Sequence, residues 1–244
     1  MSNEERVEKK ISFWEQLKED FYVPKNNDPA LDNNLELFFN YPGVWAIINY
    51  RIANKLYYKG WKKLSRVVSG ISSFLTKTDI HPACTIGRRV FIDHAIGVVI
   101  GATAIIEDDV LIYQGVTLGG VSLNKGKRHP TVKSNTVIGS GAKILGNITI
   151  GANSKVGANS VVVCDVPDNS TAVGVPARII KKDDKNCKLA HGDLPDINKE
   201  MFKYLLDRIH LVEVALKEED GIDLSLKDKK LEDDYNSFIE AMNS

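Results

Sequence analysis

The sequence predicts an α+β protein in which a helical N-terminal domain precedes a parallel β-helix and a helical C-terminal tail. The β-helix is predicted by apolar residues that recur at every sixth position in two series. A period of six fits neither an α-helix nor an ordinary strand, and it is typical of coils of three short strands with one inward side chain per hexad. The two series are Ile80, Ile86, Ile92, Val98, Ala104, Val110 and Val116, and then Val132, Ile138, Ile144, Ile150, Val156 and Val162.

Glycines support the same prediction. Glycine directly follows an apolar residue of the repeat region at Gly87, Gly139, Gly151, Gly157 and Gly174. The corner of a narrow coil leaves little room for a Cβ, and glycine also adopts positive φ without strain. We therefore expect the backbone to turn a corner with positive φ at these positions.

The helical N-terminal domain is predicted over residues 1–78 by two apolar stripes at helical spacing. The stripes are Val44, Ile47, Ile48, Ile52 and Leu56, and then Leu64, Val67, Val68, Ile71 and Leu75. The β-helix is expected to follow over residues 79–180.

A loop is predicted to interrupt the coils at residues 121–130. The interval from Val116 to Val132 is not a multiple of six, so part of the chain between them must leave the coil. This segment is basic and includes Arg128 and His129. Loops on a rigid scaffold often carry binding and catalytic residues, so we expect functional side chains here.

The C-terminal segment, residues 181–244, is predicted to contain a charged linker, a helix and a tail. In the helix, Leu205, Ile209, Val212 and Leu216 are spaced four, three and four residues apart. This spacing fits a short coiled-coil seam and equally the buried stripe of a helix that packs on its own subunit. Charged residues dominate from Glu218 onward, which disfavours a packed structure.

Composition excludes several classes of function. Of the 244 residues, 43% are hydrophobic and 26% are charged, as in an ordinary globular protein. Lys plus Arg and Asp plus Glu number 32 each, so no overall basic field favours nucleic acid or an anionic membrane. We expect a cytoplasmic protein, since the N-terminus lacks a signal-peptide pattern. The three cysteines, Cys84, Cys164 and Cys187, are unpatterned and predict reduced thiols.

Short polar motifs occur in a defined order along this framework. They are Asp28-Pro29-Ala30, Asp79-Ile80-His81-Pro82, Asp93-His94, Gly119-Gly120, Arg128-His129-Pro130 and Gly174-Val175-Pro176-Ala177. Together they resemble the serine O-acetyltransferase family of cysteine biosynthesis, over roughly residues 15–215. The resemblance implies a left-handed coil and transfer of acetyl from acetyl-CoA to the hydroxyl of L-serine. It also implies a homotrimer or a pair of trimers, and the short helical domain favours the single trimer.

His94 is the candidate general base. A serine hydroxyl is a poor nucleophile at neutral pH, and histidine is the side chain best suited to remove its proton. Asp79 lies a little less than one coil of about eighteen residues earlier, so the two side chains can meet at neighbouring levels. A carboxylate on the far nitrogen would orient the imidazole and stabilise its protonated form. The resemblance assigns a catalytic dyad to the same pair.

Substrate recognition is assigned to four residues. A free amino acid carries an ammonium and a carboxylate, so its site should present acidic groups together with a guanidinium. Asp28, Asp93 and Arg128 supply that combination. The resemblance adds His129, near the serine hydroxyl or the developing oxyanion.

Acetyl-CoA is the implied co-substrate. The resemblance places Gly120, Ser140, Lys155 and Ala158 along its groove, with the Gly120 amide at the oxyanion. Ser140 stands where the family commonly has alanine. Transfer is expected to be direct, and the cysteines are expected to be structural.

L-Cysteine is the expected feedback inhibitor, because it carries the same ammonium and carboxylate as serine. Some family members insert a C-terminal isoleucine into cysteine synthase. This sequence ends Ala241-Met242-Asn243-Ser244, so we do not expect that complex.

Three alternatives remain open from the residues alone. Another acetyltransferase of this fold, acting on a sugar or other small hydroxyl acceptor, would need His94 and the coil but not the three charged groups. A zinc lyase of the β-helical carbonic anhydrase type would need three histidines, for which His81, His94 and His129 are available, although no metal is expected. A non-catalytic scaffold for cysteine synthase is the third.

Overall fold

The structure is a computed structural model that describes residues 11–181 and 197–220. The chain divides into two compact units, Met1–Gly192 and Asp193–Ser244. Most of the predicted charged linker, Cys187 and the tail beyond residue 220 lie outside the described residues. Within the described ranges, no helix is long and apolar enough to cross a membrane.

In the described part of the chain, from residue 11 onward, five helices precede the coils. They are α1 (Phe13–Tyr22), α2 (Pro24–Asn27), α3 (Glu36–Phe39), α4 (Pro42–Tyr58) and α5 (Lys62–Thr76). Ser12 begins α1 as its N-cap, and a reciprocal hydrogen bond with Glu15 completes a capping box. Pro42 stands in the first turn of α4, where a missing N–H costs nothing. Lys77 ends α5 in the left-handed conformation.

Helices α4 and α5, the longest that precede the coils in the described chain, bury different kinds of side chain. Helix α4 buries apolar residues such as Val44 and Ile47. Helix α5 instead buries four hydroxyl residues, which are Ser65, Ser69, Ser72 and Thr76. Its apolar stripe is on one helical face as predicted, but Ile71 is 56% exposed and Phe74 beside it is 73% exposed. The described chain therefore leaves the apolar face of α5 uncovered.

Two ion pairs, one buried and one half-buried, help to attach the helices to the first coil. Arg51 on α4 pairs with Asp20 on α1 at 2.9 Å and also donates to the carbonyl oxygen of Ile86. Arg88 on the coil donates to Glu19 of α1. A buried pair with extra carbonyl acceptors fixes one geometry, so these contacts position the helices relative to the coil.

Thirteen short strands then form the coil. They are β1 (Asp79–Ile80), β2 (Thr85–Ile86), β3 (Phe91–Ile92), β4 (Val99–Ile100), β5 (Ile105–Ile106), β6 (Leu111–Ile112), β7 (Thr117–Gly119), β8 (Thr131–Val132), β9 (Val137–Ile138), β10 (Lys143–Leu145), β11 (Thr149–Ile150), β12 (Lys155–Val156) and β13 (Val161–Val162). Each strand pairs in parallel with the strand three places along the chain, which produces three sheets. Strand β14 (Ser170–Gly174) continues one sheet, and β15 (Ala177–Lys181) closes it antiparallel. The predicted repeat is thus a coil of three faces.

All thirteen residues of the two sixfold series are buried, with at most 5% exposure. The prediction of inward positions is confirmed, but the phase of the first series is wrong after Ile92. The inward strand residue of the next coil is Ile100, which lies opposite Ile80, and Val98 is a buried corner residue. The corner position and the strand position of a hexad are both apolar here. A two-residue insertion after Ile92 therefore moves the sixfold series from strand positions to corner positions without interrupting it.

The prediction of positive φ at five glycines is wrong at four of them. Of these five glycines, only Gly174 has positive φ. In the coils, left-handed residues lie instead three positions after the inward residue, as at Asn135 and Asn153. Asparagine and aspartate tolerate this conformation better than other side chains. Glycine is required here because adjacent coils approach each other closely. A Cβ on Gly139 would come within 2.6 Å of the Ala158 nitrogen in the next coil.

In the second unit, the predicted helix is α6 (Ile197–Asp220). It carries the stripe that begins at Leu205, and Leu205, Ile209 and Val212 are exposed.

Candidate active site

His94 lies in the two-residue insertion between β3 and β4. His94 and Ala95 have φ of 55° and 48°, which only a tight turn imposes on two consecutive side-chain-bearing residues. The turn is held by hydrogen bonds from the Ala95 N–H to the Asp93 carbonyl (2.7 Å) and from the Gly97 N–H to the Lys77 carbonyl (2.9 Å). The His94 side chain is 73% exposed. A rigid backbone thus presents an accessible imidazole.

Asp79 lies on the coil level next to this turn. The Asp79 N–H donates to the carbonyl of Val98, and the Thr78 hydroxyl donates to the carbonyl of Ala95. The carboxylate that His94 faces is Asp93, whose Oδ2 is 3.8 Å from the His94 Nε2. Across the described part of the chain, no hydrogen bond or ion pair joins Asp79 to His94. The two predicted partners are therefore on neighbouring segments without a hydrogen bond or ion pair between them.

Asp28 and Asp93 form an acidic cluster with two tyrosines. The Tyr41 hydroxyl donates to Asp28 at 2.6 Å, and the other Asp28 oxygen accepts the Ala30 N–H at 2.8 Å. Burial raises the pKa of Asp93; His94 opposes the shift, and the charge of Asp28 adds to it. The pKa of Tyr113 is raised by burial and by the charges of both aspartates. This cluster is suited to bind a cation.

His129 lies at the base of the loop and is 8% exposed. Its Nδ1 is 2.8 Å from the hydroxyl oxygen of Thr103 and 3.3 Å from the Thr103 amide nitrogen. Burial lowers the pKa of His129, and the positive charges of Arg128 and Lys127 lower it further. The imidazole is therefore held neutral in the described chain.

Lys127 ties the loop base to the coil. Its ammonium donates to the carbonyl oxygens of Thr103 (2.7 Å), His129 (2.6 Å) and Pro130 (3.2 Å). The Arg128 amide donates to the Thr103 hydroxyl, and its guanidinium donates to the Asn124 carbonyl at 3.2 Å. Residues 121–127 are exposed, so the loop has an open tip and a fixed base.

Two glycines surround the His129 ring. A Cβ on Gly101 would lie 1.9 Å from His129 Cδ2, so only glycine leaves room for the ring at this position. A Cβ on Gly120 would lie 3.3 Å from His129 Nε2. The predicted oxyanion residue Gly120 therefore lies beside the imidazole edge that carries Nε2.

The other predicted CoA residues lie further along the coil. The Asn159 N–H donates to the Ser140 carbonyl at 2.7 Å, which joins the corner of Ser140 to the corner of Ala158 on the next coil. Lys155 is on β12, paired with Val137 on β9. Ser140 and Ala158 are thus neighbours.

Six of the predicted residues form two groups. Asp28, Asp93 and His94 make one, and Gly120, Arg128 and His129 make the other. Among the residues that the structure describes, no hydrogen bond or ion pair joins one group to the other. Likewise, within residues 11–181 and 197–220, no three histidine, cysteine or carboxylate side chains are grouped to hold a metal ion. Burial raises the pKa of Cys84 to about 12, which keeps it a thiol and argues against an acyl-enzyme there.

Comparison with known proteins gives concordant matches. The family model described as bacterial transferase hexapeptide (six repeats) matches residues 129–164. A serine acetyltransferase of Bacillus pumilus is 49% identical over 79% of this chain and 90% of its own length. The chain belongs to the serine acetyltransferase family.

Solved serine acetyltransferases also resemble the structure. One from Brucella abortus, in complex with coenzyme A, has 44% identity and a TM-score of 0.67 over 69% of this chain and 68% of its own. Another, in complex with cysteine, has 44% identity and a TM-score of 0.66 over 68% of this chain and 69% of its own.

Sequence reasoning missed three residues that hold the two groups of this acetyltransferase. Tyr41 hydrogen-bonds Asp28, and Thr103 and Lys127 hold the segment of His129. Lys127 lies in the predicted basic loop, where the sequence shows its charge but not its acceptors. A tyrosine in a helical segment and a threonine in a coil give no local signal, because their partners lie far away in the sequence.

Proposed function

We propose that this chain transfers the acetyl group of acetyl-CoA to the hydroxyl of L-serine, giving O-acetylserine and CoA. The observation that carries the proposal is the 49% identity to a serine acetyltransferase over 79% of the chain. The structure adds an exposed histidine, an acidic cluster and a basic loop, which are the groups that this reaction needs. Membership of the family also supports a left-handed coil.

His94 is the base in this proposal. Its imidazole takes the proton of the serine hydroxyl as the oxygen attacks the thioester carbonyl carbon. The C–O bond forms, the tetrahedral intermediate then breaks its C–S bond, and the proton passes to the departing thiolate. Asp79 would orient the imidazole and stabilise its charge. The exposed His94 side chain would first rotate toward Asp79, and its long 3.8 Å contact with Asp93 does not prevent that rotation.

Asp28 and Asp93 bind the ammonium of serine, and Arg128 binds its carboxylate. The half-buried carboxyl of Asp93, with its raised pKa, gains most from a cationic partner. Tyr41 occupies one Asp28 oxygen as a donor and leaves an ammonium the remaining acceptor positions. A sugar acceptor has neither charge and would leave these groups unpaired.

The oxyanion is stabilised by the Gly120 amide and the His129 Nε2–H. Both lie on the loop side of the site, and a neutral imidazole can still donate one hydrogen bond. Donors that are fixed before reaction stabilise the charge that develops on the thioester oxygen. CoA itself would lie along Gly120, Ser140, Lys155 and Ala158, where small corner residues allow its pantetheine arm to approach the backbone.

The active protein is proposed to be a homotrimer, with a dimer of trimers as the larger alternative. The uncovered apolar face of α5 supports association with further copies, since monomeric proteins rarely expose such a stripe. Sites formed between subunits would also bring the His94 group of one copy to the His129 group of its neighbour.

An acceptor panel tests the activity. With acetyl-CoA fixed, thiol release should be rapid with L-serine and slow with L-homoserine, L-threonine and hexoses. Faster turnover of a hexose than of serine would replace the proposal with a sugar acetyltransferase.

Mixed trimers test the shared site. His94→Ala and His129→Ala chains, each inactive alone, should regain about one quarter of wild-type activity after co-refolding, since one site in four combines two intact groups. Separately refolded and mixed chains are the control. No recovery would mean that each site belongs to one subunit.

Self-association through α5 is tested by light scattering. Ile71→Glu and Phe74→Glu should lower the oligomer mass, whereas Lys63→Glu on the same helix should not. Unchanged mass in both apolar variants would exclude α5 from the interface.

L-Cysteine should compete with serine and weaken acetyl-CoA binding through the loop of Arg128. Asp28→Ala should relieve both effects, with Asp32→Ala as the control. Inhibition that persists in Asp28→Ala would place the inhibitory site elsewhere. Cysteine synthase is not proposed as a partner.

A further inference from the structure

The Thr103 hydroxyl has all of its hydrogen-bonding positions assigned by the structure. A hydroxyl offers one O–H donor and two acceptor lone pairs. The Arg128 N–H approaches the oxygen at 3.0 Å and the His129 N–H at 3.1 Å. These two donors use both lone pairs, so the hydroxyl can interact with a third polar atom only by donating.

That third atom is the Nδ1 of His129, at 2.8 Å. The Thr103 backbone N–H points at the same nitrogen from 3.3 Å. Two donors therefore face Nδ1, which must be the unprotonated acceptor of the ring. In a neutral imidazole the proton then resides on Nε2.

The Nε2 edge has no hydrogen-bond partner among the described residues, although His129 is 8% exposed. It faces the small space beside Gly101 and Gly120, where any Cβ would crowd the ring. A buried N–H without a hydrogen-bond partner lowers the stability of the folded protein. We therefore expect this donor to bind a group of the substrates when they enter the site.

We propose that Thr103 is a positioning residue that holds His129 as its Nε2–H tautomer and so makes His129 a permanent hydrogen-bond donor rather than a second base. The tautomer is a property of the free protein. Its effect on turnover rests on the proposed function, in which the Nε2–H meets the oxyanion.

Two variants separate the effect of the Thr103 hydroxyl group from the effect of side-chain volume. Thr103→Val keeps the volume and removes the O–H, whereas Thr103→Ser keeps the O–H and both acceptor positions. In full-length protein labelled with ¹⁵N-histidine, long-range ¹H–¹⁵N spectra report which ring nitrogen carries the proton. The His129→Gln variant assigns the signal, and thermal melting checks that each variant is folded.

We expect wild-type His129 to show an unprotonated Nδ1 and a protonated Nε2. Thr103→Val should give a mixture of tautomers and lower kcat by about tenfold or more, since loss of an oxyanion donor costs about 10²–10³ and a misdirected donor costs less. The KM for acetyl-CoA should change little. Thr103→Ser should resemble wild type in both the spectrum and kcat.

A protonated Nδ1 in wild type would overturn the inference without any variant, even if Thr103→Val fails to fold. An unchanged tautomer in folded Thr103→Val, or a Thr103→Ser variant as defective as Thr103→Val, would overturn it as well. A changed tautomer with unchanged kcat would support Thr103 as the residue that sets the tautomer and would instead reject the donor role of His129.

Discussion

The two histidines of the candidate site differ in nearly every respect that governs proton chemistry. His94 is 73% exposed, lies in a left-handed turn and faces the Asp93 carboxylate at 3.8 Å. His129 is 8% exposed, adjoins Arg128 and Lys127, and accepts two hydrogen bonds at Nδ1. The burial of His129 and the positive charges beside it favour its neutral form. In the proposed mechanism, His94 accepts a proton and His129 donates a hydrogen bond.

The largest effect is expected at the proton acceptor. His94→Ala should lower kcat by about a hundredfold or more, since general-base catalysis commonly contributes that much. His210→Ala, which removes an exposed histidine of α6, should keep wild-type kcat. Near wild-type turnover in folded His94→Ala would mean that another group removes the proton.

The choice of carboxylate partner is a smaller effect. Asp79→Asn should lower kcat by about tenfold or more with little change in serine KM, because it removes the group that orients and stabilises the imidazolium. Asp93→Asn should mainly raise serine KM, because it removes a partner of the ammonium. The reverse pattern in initial-rate kinetics would make Asp93 the partner of His94.

At the loop side, Arg128→Lys should raise serine KM by about tenfold and leave the affinity for CoA nearly unchanged, because lysine keeps the charge but not the paired donors for a carboxylate. Lys125→Arg at the loop tip is the matched control. Isothermal titration with each ligand separately checks the prediction, and equal losses for serine and CoA would contradict it.

The smallest effect concerns stability and pH. The folded protein lowers the pKa of His129 below its ordinary value of 6.5, so the unfolded chain binds this proton more readily. Stability should therefore be complete above about pH 6.5 and fall as the pH drops below it. His129→Gln should flatten this acid-side loss, measured by urea unfolding between pH 5 and 8. An identical slope in both proteins would show that His129 is not held neutral.

Much of the fold could be predicted from local patterns. A hexad repeat reports burial directly, and all thirteen predicted inward residues are buried. The pattern could not reveal the insertion before Ile100, because corner residues such as Val98 are as apolar as strand residues. It also could not tell that α5 buries Ser65 and Ser69 and exposes Ile71, since a helical stripe does not say what covers it.

The sequence by itself determined the coil, the loop and the residue types of an acetyltransferase site, because a repeat of six and short ordered motifs are readable without contacts. Only the tertiary structure decided how those residues are held. Thr103 and His129 are far apart in the chain, and a hydrogen bond between them exists only after the coils stack. Tautomers, burial and pairing depend on distances between such segments, and no local pattern encodes those distances.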